Sequence, residues 1–239
     1  MQKTRFKCIT TIILMFITAA CVAQNDWNKT SSTNDISRDT ISKESYALVF
    51  INKDSSFDKT VQQNLINTFF TVYPEEVKEY NPNSMKKVYM IIDPDYKGVA
   101  ATNNGIVRIN PEWFHKHPQD IDVVTHEVMH IVQAYNWNAV PGWITEGIAD
   151  FVRNEYGVNN NVANWTLPDY NPRQSYTNAY RVTARFFIWL QQHYDKKLVR
   201  ELNIAARDKT YTSAFWKNKT GKSVDELWHI YAENPTIKI

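Results

Sequence analysis

Two histidines four residues apart, in the run His126-Glu127-Val128-Met129-His130, constrain this chain more than any other feature. On an α-helix such a pair lies about 40° apart around the axis and one turn along it, so both imidazoles can reach one ion. Glu127 stands one step round from His126, where it can deprotonate a water held at that ion. At about 100° per residue, Ile121, Val124, Val128, Ile131, Val132 and Tyr135 all fall on the side opposite His126. The pattern predicts an amphipathic helix over about 118–136, with Pro118, Asp120 and Asp122 suited to its first turn. Two histidines on a solvated face would give the same periodicity. The spacing therefore establishes the helix, and the ion needs a second signal.

That signal follows in Trp143-Ile144-Thr145-Glu146-Gly147-Ile148-Ala149-Asp150, an otherwise apolar helix, expected over about 143–156, that carries two carboxylates four residues apart. Apolar helices seldom bury two acids without partners. A zinc site with two histidines takes a third protein ligand and leaves one position for water. Glu146 is the expected ligand, with Asp150 accepting the free N–H of a ligand histidine. The reverse assignment, Asp150 on the metal and Glu146 behind it, is the alternative. Pro141-Gly142 marks a sharp turn in the short link between the two helices, which brings them side by side. Cobalt or manganese would suit the same ligands.

With 239 residues, 43% of them hydrophobic, the chain can build a substantial core. Lys3, Arg5 and Lys7 precede an apolar run, Cys8 to Ala23, that reads as a secretory signal. Of 27 Lys and Arg, those three precede residue 24, which leaves 24 against 25 Asp and Glu. The mature chain is not basic, and nothing favours nucleic acid as a partner. Cleavage after Ala23 would leave no cysteine, and cleavage before Cys21 would leave a lipid-anchored one. Either way no disulfide is available. The expected location is extracytoplasmic, secreted or lipid-anchored to the cell envelope through Cys21. The expected organisation is a signal peptide at 1–23, a flexible polar tether at 24–45 and one catalytic domain at 46–235.

Within that domain, Tyr46 to Asn52, Phe57 to Tyr73 and Lys87 to Ile92 read as strand, helix and strand. Val99 to Thr102 and Ile106 to Asn110 flank Asn103-Asn104-Gly105 as a hairpin. Helices are expected at about 176–194, 196–207 and 223–233, the last opened by the capping box Ser223 and Glu226. The fold class is α+β: a mixed N-terminal sheet with helices, an active-site helix, then a helical lobe. Ile106, Val107 and Arg108 are the expected edge strand for an extended substrate. Tyr180 or Tyr176 could donate to a carbonyl oxygen gaining charge, though packing against Phe186 or Trp189 is the simpler role. His115 and His117 suit surface or capping roles.

The blocks Asn110 to Phe114, His117 to Asp120, His126 to His130 with Gln133, Trp143 to Arg153 and Tyr180 to Leu190 resemble the basic secretory protein family, zinc peptidases of plants and bacteria within the zincin superfamily. The resemblance implies His126 and His130 as zinc ligands and Glu127 as general base. The Glu146 and Asp150 spacing resembles that of gluzincins, where the Glu binds zinc and the Asp supports a ligand histidine. A departure is the interval of 15 residues between His130 and Glu146, shorter than in the best-known gluzincins. The expected activity is zinc-dependent hydrolysis of peptide bonds in a peptide or protein substrate. The competing readings are a non-catalytic cell-envelope binding protein on the same frame and a zinc amidase acting on cell-wall peptides.

Overall fold

The computed structural model describes residues 27–238. The expected leader, and with it both cysteines and the anchor position Cys21, lie outside the described residues. Among the described residues no helix is long and apolar enough to cross a membrane.

One sheet of five strands forms the base of the molecule, in the order β1-β2-β3-β5-β4: β1 (Ser37–Lys43), β2 (Tyr46–Asn52), β3 (Lys87–Ile92), β4 (Ala100–Asn103) and β5 (Ile106–Ile109). Strands β2, β3 and β5 are parallel, and the outer strands β1 and β4 run antiparallel to their neighbours. A parallel step needs a crossover. Helix α1 (Lys59–Tyr80) supplies it between β2 and β3, capped by Asp58, whose carboxylate accepts from the amides of Thr60 and Val61. The sequence predicts a stop near Tyr73, before Pro74, yet α1 continues to Tyr80 because Val72, Tyr73, Val77 and Tyr80 all bury against the core. Packing outweighs the backbone hydrogen bond that the proline removes.

Side-chain alternation gives the sheet two faces. One, carrying Phe50, Met90, Val107 and Ile109, joins the main core with α1 and the helices that follow. The other carries Val49, Ile51, Ile91 and Ile106 as a smaller buried cluster. Across that second face the register places Arg38, Ile51, Ile91 and Arg108 in one row. The two arginines at its ends grasp the same passing segment. Arg108 Nη2 donates to the carbonyls of Trp27 and Lys29 at 2.8 and 3.0 Å, and Arg38 donates to that of Thr30. The Trp27 indole donates to the Asn103 carbonyl at 3.3 Å and meets Tyr96 edge-on at 6.0 Å. Residues 27–36 therefore lie over Ile51 and Ile91 as a strap, and β1 completes the edge. This corrects the expected tether over 24–45 for its described part. Few side chains there are apolar, but the segment is held through its carbonyls, which composition does not register.

The rest of the chain is helical: α2 (Pro111–Lys116), α3 (Val123–Gln133), α4 (Gly142–Tyr156), a 3₁₀ turn (Tyr176–Asn178), α5 (Tyr180–His193), α6 (Leu198–Arg207), α7 (Ala214–Thr220) and α8 (Val224–Glu233). The α+β architecture is as expected. The capping box at α8 forms, with the Ser223 amide donating to Glu226 at 2.7 Å and the Glu226 amide to Ser223 at 3.3 Å. Helices α2 and α7 are too short to leave a periodic signature.

Glu76 on α1 is fully buried, and neither carboxyl oxygen has a hydrogen-bond partner. Burial pushes its pKa well above the ordinary 4.5. The unfolded chain therefore ionises first, and stability is lost as pH rises above the unfolded value. Glu76→Gln removes that loss. Its gain over wild type in thermal unfolding is expected to be near zero at about pH 4.5 and to reach roughly 1–3 kcal/mol by about pH 8. A gain that does not depend on pH would show that the carboxyl is already ionised in the fold.

Candidate metal centre

Helix α3 lies under α1, against β4 and beside α4, and ten of its eleven residues are buried. It is shorter than the expected 118–136. Pro118 to Asp122 forms the approach, and Ala134 ends the helix in the left-handed region at φ 48°. The buried Asp122 carboxylate accepts from the amides of Val158 at 2.8 Å and Asn159 at 2.6 Å, and Asp120 pairs with Arg153. These contacts fasten the start of α3 to the end of α4, so the helices are antiparallel. The polar side of α3 consequently faces α4 rather than water, and His126 is only 9% exposed. A solvated pair of histidines is not what this helix presents.

Three donor atoms converge between the helices. His126 Nε2 lies 3.2 Å from His130 Nε2 and 3.2 Å from Glu146 Oε2, with 3.6 Å between the last two. Asp150 stands behind His126, its Oδ1 2.7 Å from Nδ1. A carboxylate only accepts, so His126 donates from Nδ1 and turns an Nε2 lone pair toward the centre. The Oε1 of Gln133 lies 2.8 Å from His130 Nδ1. Two imidazoles and a carboxylate packed this closely form a donor set that could hold a metal ion. Tetrahedral bonds of about 2.0–2.1 Å would set their ligand atoms about 3.3 Å apart, close to the spacings observed. The charge balance points the same way. Burial would lower the His126 pKa, yet the hydrogen bonds to Asp150 and Glu146 outweigh it and push the ring up to about 10. For Glu146 burial acts upward, and the contacts with His126 and His130 hold it well below the usual carboxylate range. The pocket favours positive charge.

Glu127 sits beside this cluster and meets a residue that periodicity could not have found. Thr102 on β4 lies 2.7 Å from Glu127 Oε2 and 3.0 Å from its carbonyl oxygen. Thr102 pairs with Val107 and so shares the face of the sheet on which α3 packs. The expected edge strand is corrected here. Ile106, Val107 and Arg108 lie on β5, buried between β3 and β4, and Arg108 is engaged with Asp93. Asn104 and Gly105, both at positive φ, fold β4 back outside β5. The edge nearest Glu127 is therefore Ala100–Asn103.

Tyr180 stacks its ring on His126 at 6.1 Å with an 18° tilt, and burial first, then the negative charge of Glu146, Asp150 and Glu127, raises its pKa. The phenol stays protonated and can donate. The expected helix over 176–194 breaks just before it. Ala179 adopts φ 63°, ψ −170°, a conformation found almost only at glycine, and Tyr180 follows at φ 51°. These two strained residues set the ring over the His126 imidazole. Tyr176 is elsewhere, its hydroxyl donating to Asp225 at 2.7 Å. His117 packs on Trp113 at 4.2 Å, and His115 lies near Asp54 and Glu112, both apart from the centre.

A family described as peptidases of plants and bacteria matches residues 29–231. No curated protein sequence matches the chain. Among solved structures, an M1 zinc metallopeptidase from Deinococcus radiodurans aligns with a TM-score of 0.50 at 10% identity, over 85% of this chain and 53% of that one. Legionella pneumophila aminopeptidase A, in complex with aspartic acid, aligns at 0.56 and 13% identity, over 80% of this chain and 27% of that one. This chain thus spans about half the length of the first and about a quarter of the second. At such identities the likeness is one of fold, a zincin-like one.

Proposed function

Since the chain belongs to the basic secretory protein family, the peptidases of plants and bacteria, we propose that it is a zinc-dependent endopeptidase with His126, His130 and Glu146 as the metal ligands. The observation that carries this reading is the convergence of those three donors within 4.8 Å of one another. Zinc there would supply Lewis acidity to the scissile carbonyl and to the attacking water.

The remaining steps belong to the chain's own residues. Asp150 holds His126 in the tautomer that leaves Nε2 free. Glu127, steadied at one oxygen by Thr102, uses the other to take the proton of the attacking water and pass it to the leaving amine. Tyr180 donates its phenol hydrogen to the carbonyl oxygen as charge develops there. Strand β4, at the end of the sheet, offers its outer edge to an extended peptide. Lys3, Arg5 and Lys7 before the apolar run to Ala23 support action outside the cytoplasm, by secretion or by attachment at Cys21.

The test is metal content of the purified wild type beside His126→Ala, with casein cleavage measured before and after chelation. The wild type is expected to hold about one zinc per chain, the variant to lack it, and chelation to stop cleavage until zinc is restored. Cleavage that survives in metal-free protein overturns the proposal. Zinc-dependent release of cell-wall peptides with no action on casein would make the protein an amidase instead.

A further inference from the structure

Gln133 closes α3 one turn beyond His130 and is 1% exposed. Both ends of its amide are engaged. Oε1 lies 2.8 Å from His130 Nδ1, and Nε2 donates to the Thr145 carbonyl at 2.8 Å. The second contact settles the first. A backbone carbonyl only accepts, so the amide nitrogen must face Thr145 and the amide oxygen must face His130. That oxygen also only accepts, so His130 carries its proton on Nδ1 and keeps a lone pair on Nε2.

We infer that Gln133 is a positioning residue with two tasks: it sets the tautomer of His130, and it fixes the distance between the two helices that share the ion. Thr145 immediately precedes Glu146 in the first turn of α4. One side chain therefore holds the second donor and the backbone next to the third. The far end of the helix pair is fastened by Asp120, Asp122 and Arg153. At this end the covalent link is the loop 134–141, where Trp137 is 92% exposed. The chemistry also explains the residue type. Asn is one methylene too short to span both partners. Glu would supply the acceptor but carry no hydrogen for the Thr145 carbonyl. His126 is thus backed by an anion and His130 by a neutral amide, so both rings are oriented while only one extra charge enters the site.

This inference rests on the zinc reading above, and the experiment separates the two. Zinc dissociation constants of the full protein, from competition with a chromophoric chelator, are measured for wild type, Gln133→Leu and Gln133→Glu. Long-range proton–nitrogen spectra of the histidine rings accompany them. Gln133→Leu is expected to weaken zinc binding by about 10–100-fold and to lose the protected His130 Nδ1–H signal. Gln133→Glu keeps the acceptor for His130 but loses the hydrogen for Thr145, so it is expected to retain that signal while binding zinc more weakly than wild type. If Gln133→Leu binds zinc as tightly as wild type, or if Gln133→Glu loses the His130 Nδ1–H signal or binds zinc as tightly as wild type, the assignment is overturned. Should Gln133→Leu fail to fold, the wild-type spectrum decides, because a His130 protonated at Nε2 is incompatible with the bridge. A wild type that takes up no zinc overturns the site reading and this inference together, whereas zinc-loaded, active wild type with an indifferent Gln133 overturns only the latter.

Discussion

Glu127→Gln is expected to keep its zinc and lose peptide cleavage by about 10²–10⁴-fold, the usual contribution of a general acid or base. The substitution changes almost nothing else. Glu127 is not among the three converging donors, and glutamine matches its shape. The amide oxygen can still accept from the Thr102 hydroxyl, which lies 2.7 Å from Glu127 Oε2. What the amide cannot do is receive a proton. Zinc content by elemental analysis together with kcat on a quenched peptide separates the two effects. Equal loss of zinc and activity would make Glu127 structural, and an unchanged kcat would move the base elsewhere.

Gly147→Ala is expected to be the most destabilising single methyl addition near the site. Gly147 follows Glu146 on α4, and a Cβ there would come within 2.3 Å of Thr183 Cγ2, 2.8 Å of Thr183 Cβ and 3.1 Å of Phe187 Cε2 on α5. Threonine is stiff about χ1, and Thr183 is pinned further because its hydroxyl donates to the Tyr176 carbonyl at 2.6 Å. The helices must part, at a cost of about 1–3 kcal/mol or more for overpacking. Because α4 carries Glu146 and α5 begins at Tyr180, parting them also shifts the Glu146 carboxylate and the ring above His126. Denaturant unfolding should show the loss, and zinc affinity should fall with it. Adding Thr183→Ser removes the nearest clashing atom and should recover part of the stability. An undisturbed midpoint in Gly147→Ala would mean that α5 does not press on α4 as described.

The parts of the site that sequence made legible are those written in one helix or in adjacent ones. The His126 and His130 spacing, the Glu146 and Asp150 spacing, and the short turn at Pro141-Gly142 are local, and local geometry fixes what each side chain can reach. The α+β division and the cap at Ser223 were legible for the same reason. Long-range arrangement was not. Residues 99–110 announce a hairpin, but which strand of it ends the sheet depends on β3 pairing with β5, so the substrate edge was placed one strand inward. Thr102 stands 25 residues from Glu127, and no period connects them. Gln133 was visible as a residue without its partner at Thr145. The break at Ala179 is hidden for another reason: alanine gives no warning of positive φ, and only the packing of Tyr180 over His126 demands it.

The strap over Ile51 and Ile91 carries a consequence for the order of assembly. Its partners on the hairpin lie far along the chain, Asn103 at a separation of 76 and Arg108 at 81 from Trp27, so the residues synthesised first have nothing to grip until the sheet exists. This segment is thus made before its partners and seated after them. Until it seats, the sheet face that carries Ile51 and Ile91 lacks its strap.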